Sequence, residues 1–351
     1  MPDLPDLGAM GWTLLALVLV LALSFDFING FHDTANAIAT VIATRVLAPG
    51  AAILMAAVLN FFGALSGQAV AKTITSGLVD ANAVKDLPFA PSQLLVMAAL
   101  IGAITWNLIT WYYGIPSSSS HALIGGVVGA GIGALGANNV IWSGLGQKVV
   151  IPLILSPVIG FIGAMLFTKL LMWLFGQASP RVVGNVFRRA QLLSSAYMAF
   201  SHGSNDAQKT MGVMTLALFS AGFPLSVDSH GVPNIPWEVM LAAAIAMGLG
   251  TAAGGWRIIR TMGHRLVHLE PIHGFAAETT AATIIETASR LGFPLSTTHT
   301  ISSCILGVGA ARRLSAVRWG IALNIIRAWI YTIPVTAGLA FVSYMLLDLV
   351  F

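Results

Sequence analysis

Charged residues are scarce in this 351-residue chain, because lysine, arginine, aspartate and glutamate together make up only 9% of it. A soluble domain carries about 25% charged residues, so the composition excludes an ordinary water-soluble protein. Cysteine occurs once, as Cys304, which excludes an internal disulfide and a cysteine metal cluster. No segment has the Gly-x-x-x-x-Gly-Lys-Ser/Thr pattern of a P-loop, so the chain itself is not expected to hydrolyse ATP.

Hydrophobic residues are abundant instead, at 57% of the chain with a mean hydropathy of +0.85. Apolar runs of about 20 residues follow one another and predict an all-α, polytopic membrane protein. The net charge of +4 comes from basic residues in loops, which set orientation and do not indicate nucleic-acid binding. We predict about ten to twelve spans, since the first and last are long enough to be broken. They cover residues 11–44, 50–71, 91–113, 117–137, 149–175, 190–219, 237–256, 272–290, 294–311 and 317–350.

Two polar motifs each occur twice in these apolar surroundings. Residues 30–36 (GFHDTAN) return as residues 203–209 (GSNDAQK), 173 positions later. Residues 116–121 (PSSSSH) return as residues 294–299 (PLSTTH), 178 positions later. A duplicated membrane protein with polar helix interruptions at matching places is typical of a secondary transporter.

The distribution of basic residues predicts the orientation of the two halves. All basic clusters fall on one side if the N-terminus is outside, and that side is expected to be cytoplasmic. The span with Asp33 then runs inward and the span with Asp206 runs outward, which predicts inverted-topology repeats with helical hairpins or broken helices. We predict a first repeat at 11–175, a central cytoplasmic loop at 176–190 and a second repeat at 191–350.

Asp33 and Asp206 are the leading candidates for ion coupling. A carboxylate in mid-membrane costs at least ~2.5–3.5 kcal/mol, so it normally faces a cavity or a partner. The alternative is a local structural contact, and Lys209 offers one to Asp206 at i+3. Gly30 and Gly203 precede the two aspartates, and we expect them to break the helix and free carbonyl groups for the cargo.

The two serine-rich turns are predicted to bind an anion. Proline followed by hydroxyl residues is a helix-start pattern, and a helix N-terminus offers free N–H groups and partial positive charge. Two such termini, one from each half, would cradle a tetrahedral oxyanion, whereas the alternative is two ordinary capped turns. The predicted substrate contacts are Ser118, Ser119, Ser120, His121, Ser296, Thr297, Thr298 and His299, with Asn36, Gln208 and Lys209 from the other motif pair.

Further ion-coupling candidates are His32, Asn205 and Glu278. Histidine titrates in the physiological range, and His32 directly precedes Asp33, so we predict that it belongs to a proton path. Asn205 occupies the corresponding place before Asp206. Glu278 lies deep in the apolar stretch that leads into the second serine-type turn.

These motifs resemble the signatures of the inorganic phosphate transporter (PiT) family, and the resemblance covers nearly the whole chain. It implies a fold of about ten to twelve helices with inverted repeats and hairpins, and phosphate moved together with a cation. It assigns the signature aspartates to Asp33 and Asp206, the phosphate-binding turns to 118–121 and 296–299, and the preceding glutamate to Glu278. The common signature has Asn where this chain has His32, and sodium-coupled members have Glu where it has Asn60, so the chain is similar to the bacterial proton-coupled branch.

The resulting prediction is a proton-driven symporter that imports inorganic phosphate across the inner membrane, with no catalytic activity and no cofactor. Sodium coupling and a PiT-like sulfate carrier are the near alternatives. An intramembrane Ser-His-Asp hydrolase and an anion channel are the alternatives from other classes. The predicted partners are phosphate, alone or as a metal–phosphate complex, protons or sodium, and the lipid bilayer; a homo-oligomer stays open.

Overall fold

The computed structural model describes residues 5–229 and 231–351, and helices dominate both ranges. The residues that form isolated β-bridges lie in the connections. Fourteen α-helices follow one another: α1 Gly8–Ala43, α2 Pro49–Ala64, α3 Ala69–Ser76, α4 Ala81–Lys85, α5 Phe89–Tyr113, α6 Ser119–Leu135, α7 Trp142–Gly144, α8 Ile151–Leu174, α9 Pro180–Ser220, α10 Trp237–Ala253, α11 Trp256–Arg260, α12 Pro271–Arg290, α13 Thr297–Arg312 and α14 Trp319–Asp348. The predicted all-α, polytopic membrane architecture is confirmed.

Four helical stretches are long and apolar enough to cross a membrane on their own, namely α1, α5, α14 and the continuous stretch Trp142–Leu174. Two bent pairs also qualify, α2 with α3 at 68° and α10 with α11 at 58°. The four other predicted spans correspond to α6, α9, α12 and α13. The helices α6 and α13 are shorter than about 20 residues, while α9 and α12 carry many polar side chains. Each of these four helices carries or adjoins one of the repeated motifs.

The glycines of the first motif pair do not break their helices. Helices α1 and α9 run without interruption through Gly30 and Gly203. A Cβ atom at Gly30 would lie 2.7 Å from the Met247 carbonyl oxygen, and one at Gly203 would lie 2.2 Å from the Asn60 carbonyl oxygen. The prediction of freed carbonyls is therefore wrong, because these glycines allow α10 and α2 to cross in close backbone contact. The breaks lie instead between α2 and α3 and between α10 and α11.

The connection between the halves is shorter than the predicted loop at 176–190. Helix α9 begins at Pro180, with proline in its first turn, where the missing N–H costs nothing. Its first turns are held by Phe187, which is buried with its ring centroid 5.0 Å from Phe175 and 5.6 Å from Phe275. Aromatic packing thus keeps residues 180–190 helical, although they are too polar to resemble a membrane span.

Helices of the two halves pack in matching pairs. Helix α2 packs on α9 as α10 packs on α1, and α6 packs on α14 as α13 packs on α8. Helices α5 and α6 form a hairpin around the first serine-rich turn, and α12 and α13 form one around the second. Each half therefore buries its apolar surface against the other, and the motif helices α1 and α9 lie together in the interior.

Candidate functional site

The polar residues of the repeated motifs converge in the interior of the helix bundle. Asp33 is 2% exposed and Asp206 is fully buried, although both belong to helices with apolar flanks. Burying a carboxylate without compensation is strongly unfavourable, so each must find partners within the protein. The partners come from both halves of the chain.

Asp206 has three close partners. The ammonium of Lys209 lies 2.5 Å from Asp206 Oδ1, as the i+3 spacing predicts. The hydroxyl of Thr297, from the second turn, donates to Asp206 Oδ2 over 3.2 Å. The imidazole Nε2 of His202 lies 3.3 Å from the same oxygen, while its Nδ1 lies 2.9 Å from Asn60 Oδ1.

Asp33 is paired with the histidine next to it. His32 Nδ1 lies 2.6 Å from Asp33 Oδ1, and His32 Nε2 lies 3.1 Å from the Thr110 hydroxyl. The Ser117 hydroxyl, at the first turn, donates to Thr110 over 2.7 Å. Both signature aspartates therefore have an imidazole partner, which links each of them to a neighbouring helix.

Ionisable side chains from the two halves lie together in one cluster. One ligand-type atom each from Asp33, His202 and Asp206 lies within 4.8 Å of the others, and all three residues are buried. Two carboxylates at this spacing repel each other unless a cation or a proton intervenes. This cluster is thus a candidate position for a coupled cation.

The two serine-type turns face each other beside this cluster. Ser118 caps α6 by accepting from the His121 amide at 3.1 Å, and Ser296 caps α13 by accepting from the His299 amide at 3.2 Å. Ser120 joins the turns by donating to the Leu295 carbonyl over 3.0 Å. Two capped helix N-termini with their free first-turn amides therefore meet in the bundle interior.

Side chains of the first motif pair also reach these turns. Lys209 Nζ donates to the Ser120 hydroxyl over 2.5 Å. The Asn36 amide donates to Thr298 over 2.9 Å and to Thr297 over 3.2 Å. The hydroxyl of Ser119 is buried without a hydrogen-bond partner in the described ranges. Donors, a cation and an unpaired hydroxyl converge where the sequence predicts an anion.

The turn histidines contact each other and an aromatic residue. The rings of His121 and His299 lie 4.7 Å apart, and His299 stacks on Trp329 at 3.9 Å. Trp329 also donates its indole N–H to the carbonyl of Pro116 over 3.1 Å. These contacts hold the two helix starts together, so the geometry favours an orienting role for both rings.

Two predicted site residues make hydrogen bonds to α3, to α12 and to Phe293, which directly precedes the second turn. Gln208 accepts from the Val70 amide over 2.9 Å and thereby caps α3 at the bent α2–α3 pair. Asn205 donates to the Ser289 hydroxyl over 2.8 Å, at the end of α12. The structure gives both side chains structural contacts and does not bring them to the carboxylate cluster.

Glu278 forms a separate buried group. Its carboxylate accepts from Thr40 and Ser194 over 2.5 Å each and from Gln191 over 3.1 Å. Thr40 follows Asp33 by two helical turns on α1, so this group lies about 10 Å further along the helix. Gln191 and Ser194 lie early in α9, at the start of the predicted span 190–219.

Sequence reasoning missed several polar partners of the site. Thr110, Gln191 and Ser194 give no motif signal, because single hydroxyl and amide residues are common in membrane helices. Ser117 lies in the first turn motif but is not among the predicted contacts. Asp26 is different, since a carboxylate in an apolar span is itself a signal. It is fully buried and accepts from the Thr210 hydroxyl over 2.9 Å.

The buried charges do not balance. Four carboxyl groups are buried, those of Asp26, Asp33, Asp206 and Glu278. Among the lysine and arginine residues whose exposure is described, only Lys209 is buried. With all four carboxyl groups ionised, the interior would hold an excess of negative charge before any anion entered. Anion binding here therefore requires protons or other cations.

Comparison with known proteins places these features in a wider group. Residues 29–340 match the phosphate transporter family. A protein of Rhizobium meliloti (strain 1021) named "Probable low-affinity inorganic phosphate transporter" is 46% identical over 98% of this chain and 99% of its own length. A protein of the same name from Bacillus subtilis (strain 168) is 45% identical over 95% and 97%. The solved structure titled "The sodium-dependent phosphate transporter" is 27% identical, with a TM-score of 0.85 over 97% of this chain and all of that one.

Proposed function

Because this chain belongs to the phosphate transporter family, we propose that it is a secondary active symporter that imports inorganic phosphate together with protons. The family and the names of the relatives describe a transporter and not an enzyme, as the sequence predicts. We propose that the chain lies in the inner membrane and that its own buried residues carry out this proton-coupled symport.

Phosphate is assigned to the space between the two serine-type turns. A phosphate ion offers four oxygens, and the turns offer two helix N-termini together with the hydroxyls of Ser119, Ser120, Thr297 and Thr298. Lys209 supplies a positive charge at hydrogen-bond distance from Ser120. Charge-assisted hydrogen bonds to such an oxyanion are roughly twice as strong as neutral ones. Asn36 positions the second turn through its two hydroxyl contacts.

The single observation that carries proton coupling is the imidazole partner of each signature aspartate. His32 contacts Asp33 at 2.6 Å and His202 contacts Asp206 at 3.3 Å. Imidazole accepts a proton near neutral pH, whereas a hard cation such as sodium prefers oxygen ligands. Protonation of these pairs would offset the excess negative charge and allow the phosphate anion to enter.

Sodium coupling is the second candidate, because one specific observation favours it. The similar solved structure is titled a sodium-dependent phosphate transporter. Asn60, which replaces the glutamate of the sodium-coupled pattern, accepts from His202 Nδ1 through its amide oxygen over 2.9 Å and donates to Thr251 over 3.0 Å. A neutral amide at this place removes one anionic oxygen, so the chain's own residues support protons over sodium.

The transport cycle follows from the matched packing of the two halves. We assign inverted repeats at about 11–175 and 191–350, with phosphate at their interface near the midplane, as in other transporters of this architecture. Relative movement of the two hairpins would expose the turns to one side and then to the other.

The test uses purified protein in proteoliposomes with labelled phosphate. We expect an inward proton gradient to drive accumulation in sodium-free buffer and a protonophore to abolish it. A sodium gradient at equal pH on both sides should add nothing, and sulfate in tenfold excess should not compete. Accumulation driven only by sodium would overturn proton coupling, and competition by sulfate at equal concentration would overturn the substrate assignment.

A matched pair of histidine variants tests the site. His32→Asn should change the pH dependence of uptake, because it removes the imidazole that contacts Asp33. His268→Asn makes the same change at an exposed loop position and should leave the profile unchanged. Identical pH profiles for His32→Asn and wild type would remove His32 from the proton path.

A further inference from the structure

Asp26 is a buried carboxyl group that the phosphate site does not use. It lies on α1, seven residues and two helical turns before Asp33, which separates the two residues by about 10 Å along the helix. Its Oδ1 accepts from Thr210 over 2.9 Å, and its Oδ2 has no hydrogen-bond partner in the described part of the chain. We propose that Asp26 is a proton-binding residue on the outer route to the phosphate site, an inference that rests on the proposed function.

A second buried side chain points to a ligand at the same place. Asn29 is fully buried, and neither its amide nitrogen nor its amide oxygen has a hydrogen-bond partner within residues 5–229 and 231–351. It lies one helical turn from Asp26 on one side and one turn from Asp33 on the other. Buried polar atoms without partners are unfavourable, so a free donor and acceptor here are suited to water that conducts a proton.

The charges around Asp26 favour a proton. The groups that act on it electrostatically are Asp206 and Lys209, both on α9. Helix α5, which packs on α1, contains no charged residue, and the charged residue of α10 is Glu238, exposed in its first turn. The nearby helix α6 contributes a histidine at its start. Lys209 is already held by Asp206 at 2.5 Å, and no other lysine or arginine whose exposure is described is buried, so Asp26 is neutralised by binding a proton.

The spacing of polar residues along α1 indicates the direction in which the proton would move. Asp26, Asp33 and Thr40 follow one another at seven-residue intervals and so share one face of the helix. Thr40 donates to Glu278, the carboxylate on the far side of the site. In the proposed orientation Asp26 is outermost, so it takes a proton from external water and passes it to the Asp33–Asp206 cluster, while Glu278 lies toward the cytoplasm.

The experiment compares two substitutions at Asp26 with a matched threonine pair. Asp26→Asn removes the titrating group, and Asp26→Glu keeps it. Thr210→Val removes the hydroxyl that donates to Asp26, whereas Thr215→Val makes the same change on the same helix at a fully buried hydroxyl without a hydrogen-bond partner in the described ranges. Each protein is reconstituted and assayed for gradient-driven accumulation and for phosphate–phosphate exchange at equal pH.

We expect Asp26→Asn to accumulate less phosphate than wild type while it retains exchange. Across a gradient of one pH unit, each coupled proton supports an accumulation ratio of about tenfold, so the loss of one proton lowers the ratio by about that factor. Asp26→Glu should still accumulate phosphate. Thr210→Val should move the external pH of half-maximal uptake upward, because a hydroxyl that donates to a carboxylate favours its ionised form, and Thr215→Val should match wild type.

Accumulation by Asp26→Asn at the wild-type level would overturn the proposal. If that variant does not fold, Thr210→Val decides, and a pH profile identical to that of Thr215→Val would overturn it as well. Wild-type protein that shows no proton-driven accumulation would refute the proposed function itself. If wild-type protein shows proton-driven accumulation and Asp26→Asn shows the same, only the role of Asp26 is refuted.

Discussion

Lys209 carries the buried positive charge of the proposed phosphate site, and its removal gives the sharpest test of the charge argument. It is 1% exposed and contacts Asp206 Oδ1 and the Ser120 hydroxyl over 2.5 Å each. Lys209→Met keeps most of the side-chain volume but leaves Asp206 without its cation. Loss of one partner of a buried ion pair costs roughly 3–5 kcal/mol, so we expect a destabilisation of that order.

The same variant should bind phosphate more weakly. A hydrogen bond to a charged group contributes about 1.5–3 kcal/mol, which corresponds to an increase of Kd of roughly 10- to 150-fold. Thermal unfolding in detergent measures the first effect, and the phosphate concentration needed to raise Tm measures the second. Lys72→Met is the matched control, because Lys72 pairs with Asp228 over 2.9 Å at a partly exposed place where such pairs contribute about 0–1 kcal/mol.

A double variant separates the two effects. Adding Asp206→Asn to Lys209→Met removes the uncompensated carboxylate, so it should recover much of the stability but not the phosphate affinity. The reasoning would be refuted by a Lys209→Met protein no less stable than Lys72→Met, or by a double variant that binds phosphate as wild type does.

Three further predictions test other parts of the site and its orientation. Asp33→Asn should abolish gradient-driven uptake at normal expression, whereas Asp348→Asn, exposed at the end of α14, should transport normally; near-normal uptake by Asp33→Asn would contradict the coupling role. Ser119→Ala should weaken phosphate binding by about 1–3 kcal/mol. It should not lower the stability of the phosphate-free protein, because the Ser119 hydroxyl has no hydrogen-bond partner in the described ranges. Titration calorimetry measures the first effect and thermal unfolding measures the second. A cysteine at Gly184, where a Cβ meets no atom within 4 Å, should be labelled only from the cytoplasm. A cysteine at exposed Ser229 should be labelled only from outside. Labelling of both positions from one side would contradict the proposed orientation.

The excess of buried carboxyl groups connects these predictions. Four buried carboxyl groups lie along α1, α9 and α12, and Lys209 is the one buried lysine among the residues whose exposure is described. The site is therefore poorly suited to an anion unless protons accompany it. Each substitution that removes a carboxylate or the lysine changes this balance in a known direction. In the proposed mechanism, coupling follows from charge neutralisation, because bound phosphate and bound protons each make binding of the other more favourable.

The sequence by itself determined the class of the protein and predicted where its candidate site lies. Low charge content and long apolar runs require a helical membrane protein, since every backbone polar group in lipid must be bonded within the chain. The two motif pairs predict Asp33, Asp206 and both turns as candidate site residues, because polar residues in apolar helices are unfavourable unless they have a partner or a ligand. Even the Asp206–Lys209 contact follows from helical periodicity alone.

Only the tertiary structure decided which partners these residues have. Gln208 and Lys209 are adjacent in one motif, yet one caps α3 and the other reaches Ser120. The sequence predicts that Gly30 breaks its helix, but in the structure α10 crosses α1 at this glycine. Hydropathy and periodicity describe one helix at a time, whereas the contact of a given face depends on which helix crosses it and at what level. That crossing is set by the packing of the two halves against each other, which no local pattern records.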